Sequence, residues 1–168
     1  EFTKIKIAER NNISLKRNLA LDNVSGDYVL LLDSDQLPES NELLEDCIKK
    51  SEEGFDLIRI PEKFSGTGGY LKRSYHQLRG LYWDKSDEGI PRFVKTELIR
   101  NKRFDPERLH FEDELFFEEI RTAHTEAKVE SIIIHNEGFE LYANLRKARI
   151  AQKQSKSHRI KSSFRLSV

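Results

Sequence analysis

The run YVLLLDSDQLPES, Tyr28 to Ser40, decides the fold. Tyr28 to Leu32 is apolar or aromatic on both faces, the pattern of a central strand covered on two sides, often in a parallel sheet. Two aspartates one residue apart end it. Alternate side chains of a strand share a face, so extended geometry puts Asp33 and Asp35 on one side, at the strand's carboxyl end. Open α/β sheets bind ligands beyond that edge. Hard cations such as Mg²⁺ or Mn²⁺ take carboxylate oxygens and complete their shells with substrate phosphates. The pair therefore predicts a divalent ion and a phosphate-bearing substrate. Two rival readings stand beside it. The acids can simply solvate a strand end and cap the helix after them. They can also be the nucleophile and proton donor of a phosphohydrolase, although Leu37 stands where that class carries a small polar or β-branched residue.

Outward from this strand, Lys4 to Ala8 alternates and reads as a short strand, broken at Asn11 and Asn12. Ser14 is placed to cap a helix through Lys16, Arg17 and Asn18 to about Val24, with Gly26 as its stop. Pro38 suits the first turn of the next helix, in which Leu43, Leu44, Cys47 and Ile48 form one stripe before Lys49, Lys50 and Gly54 close it. Phe55 to Ile60 is a further strand. Strand, helix, strand, helix, strand predicts an α/β layered fold with crossover helices.

Beyond it, Glu62 to Ser74 holds three glycines and reads as a long loop. Tyr75 to Trp83 reads as an aromatic helix, and Gly89 to Lys95 as a strand leading into a helical turn, Thr96 to Asn101. Phe104 to His110 is a connection, and Glu112 to Arg121 a helix with Leu115, Phe116 and Ile120 on one face. Lys128 to Ile134 is a last strand that stops at His135, a residue type that more often serves structure at such a place. Leu141 to Gln154 is a basic helix, followed by a Ser-, Lys- and Arg-rich tail.

At 168 residues the chain suits one core, and its 37% hydrophobic residues fall in patterned blocks that exclude general disorder. Net charge is zero, yet eight basic residues and no acidic ones follow Glu140. The body is acidic and the tail basic. That tail is a solvated face or a contact for an anionic membrane surface; an acidic body argues against nucleic acid. Cys47, the single cysteine, is expected to be a small buried hydrophobe, and its use fits a reducing, cytoplasmic compartment. The longest apolar runs are too short to cross a bilayer. The chain opens in mid-pattern without methionine, as a fragment or processed chain would.

Ordered blocks carry more information than the aspartates alone. Lys16-Arg17-Asn18, then Gly26-Asp27-Tyr28, then Leu32-Asp33-Ser34-Asp35 and Pro38 resemble the family 2 glycosyltransferases of the GT-A fold. Phe104-Asp105 followed by Phe111-Glu112-Asp113 and Leu115 resembles that family's acceptor-side segment. The resemblance implies a GT-A fold, with a mostly parallel mixed sheet and helices on both faces, over residues 1–140, and a basic helix and tail over 141–168. It implies a metal-dependent, inverting transfer from a nucleoside diphosphate sugar to the hydroxyl of a glycan or lipid-linked acceptor. Arg17, Asp33 and Asp35 would bind donor, with Asp35 on the metal bridging its phosphates and Asp33 near the ribose or a metal-bound water. Asp113 would be the general base, and His135 a further ligand to Mn²⁺ or Mg²⁺.

For Asp113 the residues alone also allow a plain helix N-terminal acid, since Glu112, Asp113 and Glu114 share a first turn. The run Ser65 to Gly69 lacks the ending of a P-loop and is assigned to the acceptor side. Tyr70, Tyr75, Tyr82 and Trp83 stand near it, as sugar-stacking or core aromatics. The family's opening βαβ segment, which holds the nucleoside base, has no counterpart before Lys4. A non-catalytic module that has lost donor binding is therefore the alternative.

Overall fold

The computed structural model describes residues 12–64, 69–85, 89–108 and 111–136, together with 138 and positions 142, 144–146, 149, 150 and 152. The expected strand at Lys4 to Ala8, the run Ser65 to Gly68, His110, the side chains of Tyr82 and Trp83, and most of the basic tail lie outside them. Of the expected helix Leu141 to Gln154, the described positions are helical.

The order is α1 (Ile13–Asp22), β1 (Tyr28–Leu30), β2 (Gln36–Pro38), α2 (Leu43–Glu52), β3 (Leu57–Arg59), β4 (Glu62–Phe64), α3 (Tyr70–Lys85), β5 (Pro91–Lys95), α4 (Thr96–Ile99), α5 (Glu112–Ala123), β6 (Glu126–Lys128) and β7 (Ile133–His135). One sheet runs β1-β5-β3-β6 and a second β2-β7-β4. The α/β class is as expected. Strand direction is more mixed than the apolar pattern suggested. Because β5 inserts antiparallel between β1 and β3, only the β3–β6 and β4–β7 pairings are parallel among the described residues. A strand buried on both faces looks the same in either direction.

Alternation along the first sheet divides its side chains between two cores. Leu57 and Val94 face one side, where Leu21 of α1, Ile99 of α4 and Phe116, Phe117 and Ile120 of α5 cover them. Ile58 and Phe93 face the other, against Leu43 and Cys47 of α2. Helices thus lie on both faces. Cys47 is fully buried, and burial, helped by Asp46, pushes its thiol up to about 12. It is a neutral packing residue.

Several boundaries differ from the sequence reading for local reasons. Asn12, not Ser14, caps α1 by accepting the Leu15 N–H, while Ser14 is buried one turn inside. The helix stops at Asp22, short of Gly26. Pro38 does not start a helix; it ends β2, an edge strand paired with β7, where a missing N–H is tolerated. The loop expected at Glu62 to Ser74 is partly ordered, as β4 and the start of α3. The last strand is two: β6 joins the first sheet and β7 the second, so the chain changes sheets at residues 129–132.

Gly54 follows the end of α2 with φ +103°, and a Cβ there would meet nothing within 4 Å. The penalty for a side chain is therefore one of backbone alone. Gly54→Ala is expected to lower stability by about 1 kcal/mol, read as a shift of the urea midpoint.

Asp56, just before β3, accepts from Lys95 at 2.7 Å and lies 3.2 Å from His124 Nδ1. The Lys95 hydrogen bond, joined by that from His124, holds its carboxyl below the usual value of 3.8 against the opposing effect of burial. A depressed carboxylate stabilises the fold above its unfolded value and loses that contribution as pH falls through the folded one. The melting-temperature gap between the parent and Asp56→Asn should therefore be steady near neutrality and close below pH 3.8. A gap that widened in acid would contradict this pairing. The effect is modest because the pair is only partly buried and remains in contact with solvent.

Candidate active site

Site geometry begins where β1 stops. Leu30 is its last residue, and Gln36 N donates to Asp33 O at 3.1 Å, closing a turn over residues 33–36. Extended geometry does not reach Asp35, so the expectation that both aspartates share one strand face does not hold. Each carboxylate has its own set of partners.

Asp33 faces two arginines. Its Oδ1 lies 3.1 Å from Arg17 Nη2 and its Oδ2 3.8 Å from Arg92 Nη2. Arg17 also places Nη1 3.0 Å from Glu112 Oε1 and 3.9 Å from Asp113 Oδ2, with its guanidinium over the Phe104 ring. One side chain of α1 therefore joins the strand-end acids to the first turn of α5. Its neighbour Asn18 explains how α1 is held for this. Asn18 donates to Phe104 O at 2.9 Å and accepts from Phe104 N at 2.7 Å, gripping the segment ahead of α5 by its backbone. Phe104 then stacks on Phe116, with centroids 3.9 Å apart.

Asp35 faces His135. Its backbone carbonyl accepts from Asn136 N at 2.8 Å, and its Oδ2 lies 3.3 Å from His135 Nε2. The register of β2 against β7 sets Gln36 opposite His135, and that of β4 sets Phe64 beside it, stacked on the imidazole. His135 Nδ1 is 2.9 Å from Glu62 Oε2. A carboxylate can only accept, so Nδ1 donates.

Behind these lie three residues that sequence reasoning missed. Glu62 Oε1 receives Arg92 Nε at 2.6 Å, and Oε2 receives Gln36 Nε2 at 3.1 Å. Gln36, nearly fully buried, accepts the Asp33 N–H at 2.9 Å with its other end. Burial alone would raise the Glu62 carboxyl, but the hydrogen bond from His135 and the charge and hydrogen bond of Arg92 outweigh it and hold it low. A signal existed for Arg92, a lone charge inside the buried run Ile90 to Val94. None existed for Glu62, whose partners lie 26 or more residues away.

At α5 the three acids separate. Glu112 is turned in and buried against Arg17; Asp113 is half-buried, its Oδ1 accepting the Glu114 N–H at 2.9 Å; Glu114 is exposed. Phe111, at the N-cap, takes a left-handed backbone with φ 61°; the three acids point in different directions because successive helical residues lie about 100° apart. Asp105, by contrast, accepts the Glu107 N–H and shapes its own turn.

The set has five carboxylates against two guanidiniums, an imbalance that favours a cation. With Nδ1–H given to Glu62, His135 Nε2 either carries a second proton or offers its lone pair beside Asp35. A carboxylate behind an imidazole is the arrangement that orients metal-binding histidines. One carboxylate oxygen and one imidazole nitrogen fit a partly protein-bound Mn²⁺ or Mg²⁺ whose shell is finished by substrate oxygens. Among the described residues no group of three His, Cys, Asp or Glu side chains gathers at metal-binding range. Asp33, on its arginines, stands apart from this pair.

A mixed sheet with helices on both faces and an acid-rich strand edge facing a helix N-terminus is consistent with a GT-A-like fold. Comparison with family models makes this specific. Residues 2–115 match Glycosyl transferase family 2, and the chain belongs to that family. Membership implies a nucleotide-sugar donor and an acceptor. No curated protein matches the chain. No helix among the described residues is long and apolar enough to cross a membrane.

Proposed function

We propose that the domain transfers a sugar from a nucleoside diphosphate sugar to an acceptor hydroxyl by one inverting displacement, with a divalent ion held by Asp35 and His135. The observation that carries this reading is the meeting of distant segments. Arg17, Asp33 and the Glu112–Asp113 pair converge on one guanidinium, and Asp35 meets His135 from the far end of the described chain.

When bound, the ion supplies positive charge that offsets the charge building on the departing diphosphate. Asp35 and His135, 3.3 Å apart, would hold it, with Glu62 fixing the imidazole tautomer and angle. Asp33, oriented by Arg17 and Arg92, would lie near the donor ribose or a water of the ion. Asp113 takes the proton of the acceptor hydroxyl as its oxygen bonds to the anomeric carbon. The bond from that carbon to the diphosphate oxygen breaks on the opposite side, which inverts the centre. Arg17 holds both acidic sites in one frame.

Calorimetric titration of the chain with uridine and guanosine diphosphates, with and without Mn²⁺, tests the donor half. Binding of one of them that needs Mn²⁺, reverses with chelator and disappears in Asp35→Ala is the expected result. Binding indifferent to Mn²⁺ and to residue 35 contradicts it.

A further inference from the structure

A cavity of about 610 Å³ lies between β4 and α3, beside the site. That is ample for a small polar ligand. Lys63 and Phe64 line it from β4, Arg73, His76, Gln77 and Gly80 from α3. It adjoins the reaction centre at two points. Glu62 lines it and also holds His135; Phe64 lines it and stacks on the same imidazole.

We propose that this cavity is the subsite for the anionic part of a phosphate-bearing hydroxyl acceptor, a proposal that rests on the transferase reading above. Its charge selects that chemistry. Arg73 has no ion-pair partner among the described residues, and Lys63 is held only loosely, 3.6 Å from Glu39. The lining carboxylate, Glu62, is paired with Arg92 at 2.5 Å and accepts a hydrogen bond from His135. A neutral sugar ring has little to stack on, because Phe64 carries His135 and, at 4.5 Å from its centroid, the Arg79 guanidinium. Phosphate oxygens, in contrast, match an unpaired guanidinium and an ammonium at one mouth.

The helix also leaves room for such a group. Arg73, His76, Gln77 and Gly80 follow i, i+3, i+4, i+7 and share a face. A Cβ at Gly80 would meet nothing within 4 Å. About a third of a turn round from that face, Tyr70, Leu71, Leu78 and Leu81 are exposed. The phosphate can therefore come from a soluble ester or from a lipid headgroup reached beside this apolar stripe.

The test uses the full chain and two variants, Arg73→Glu and Gly80→Leu. The second fills the cavity while replacing a helix-weakening glycine, so it should melt no lower than the parent. One arm titrates glycerol 3-phosphate. The other measures sedimentation with phosphatidylcholine vesicles with and without phosphatidylglycerol. Loss of the charge-assisted phosphate contact in Arg73→Glu, and blockage of the cavity in Gly80→Leu, should each weaken binding of whichever probe the parent takes by roughly tenfold or more. Response in the first arm marks a soluble ester, and response only to phosphatidylglycerol a lipid headgroup. If the parent takes neither probe, or the variants bind as well as the parent, the proposal is overturned. Nucleoside diphosphate binding with Mn²⁺ is measured alongside and should not change. Its absence in the parent would instead remove the donor reading, whatever the cavity does.

Discussion

Asp113→Asn should transfer sugar roughly 10²–10⁴-fold more slowly than the parent, the usual loss when a general base is removed. Melting temperature and donor binding should stay where they were. The reason lies in the different surroundings of neighbouring acids. Asp113 is half-buried, and its closest approach to Arg17 is 3.9 Å, too long for a hydrogen bond. Its carboxylate is therefore available to a proton in the site. Glu112 is buried against Arg17 at 3.0 Å, a structural position. Glu112→Gln should accordingly lower the melting temperature while Asp113→Asn does not. Rates that fell with Glu112→Gln at unchanged melting temperature, with Asp113→Asn active, would assign the base one residue earlier.

Arg17→Met should be the most destabilising single change among the charged residues of the site. It removes the 3.0 Å partner of buried Glu112 and the 3.1 Å partner of Asp33, which then faces only the more distant Arg92, at 3.8 Å, among the ion pairs given above. Taking the guanidinium from a buried carboxylate in this way costs roughly 2–4 kcal/mol, which urea titration would register directly. The double variant Arg17→Met with Glu112→Leu should recover part of that loss, since the buried charge is then gone too. Strict additivity of the two single effects would show that the pair is not coupled. Donor binding should fall in Arg17→Met as well, because Asp33 loses its frame.

The legible parts of the fold were those with a local cause. The stripe Leu43 and Cys47 needs only helical spacing, and the strand at Tyr28 only a run of apolar residues. Motif order likewise brought out Arg17, Asp33 and Asp113, which the fold gathers on one guanidinium. What stayed hidden depends on partners far along the chain or on a single turn. The turn from Asp33 to Gln36 separates the two aspartates, and nothing in D-S-D announces it. Pro38 fits a helix start as well as an edge strand; only its pairing with Ile133 decides. The run from Lys128 to Ile134 reads as one strand because the change of sheets is made by apolar residues, Val129 and Ile133, that both point into one core. Glu62 and Gln36 look like ordinary surface residues until Arg92 and His135 arrive.

The pairing of Asp35 with His135 is the hinge of the whole account, and pulsed electron paramagnetic resonance of the chain with Mn²⁺ and a nucleoside diphosphate reads it directly. The expected spectrum carries nitrogen coupling from one imidazole together with phosphorus coupling, and the nitrogen signal vanishes in His135→Ala. Bound Mn²⁺ with phosphorus coupling but no imidazole nitrogen, or a nitrogen signal that survives His135→Ala, would contradict it.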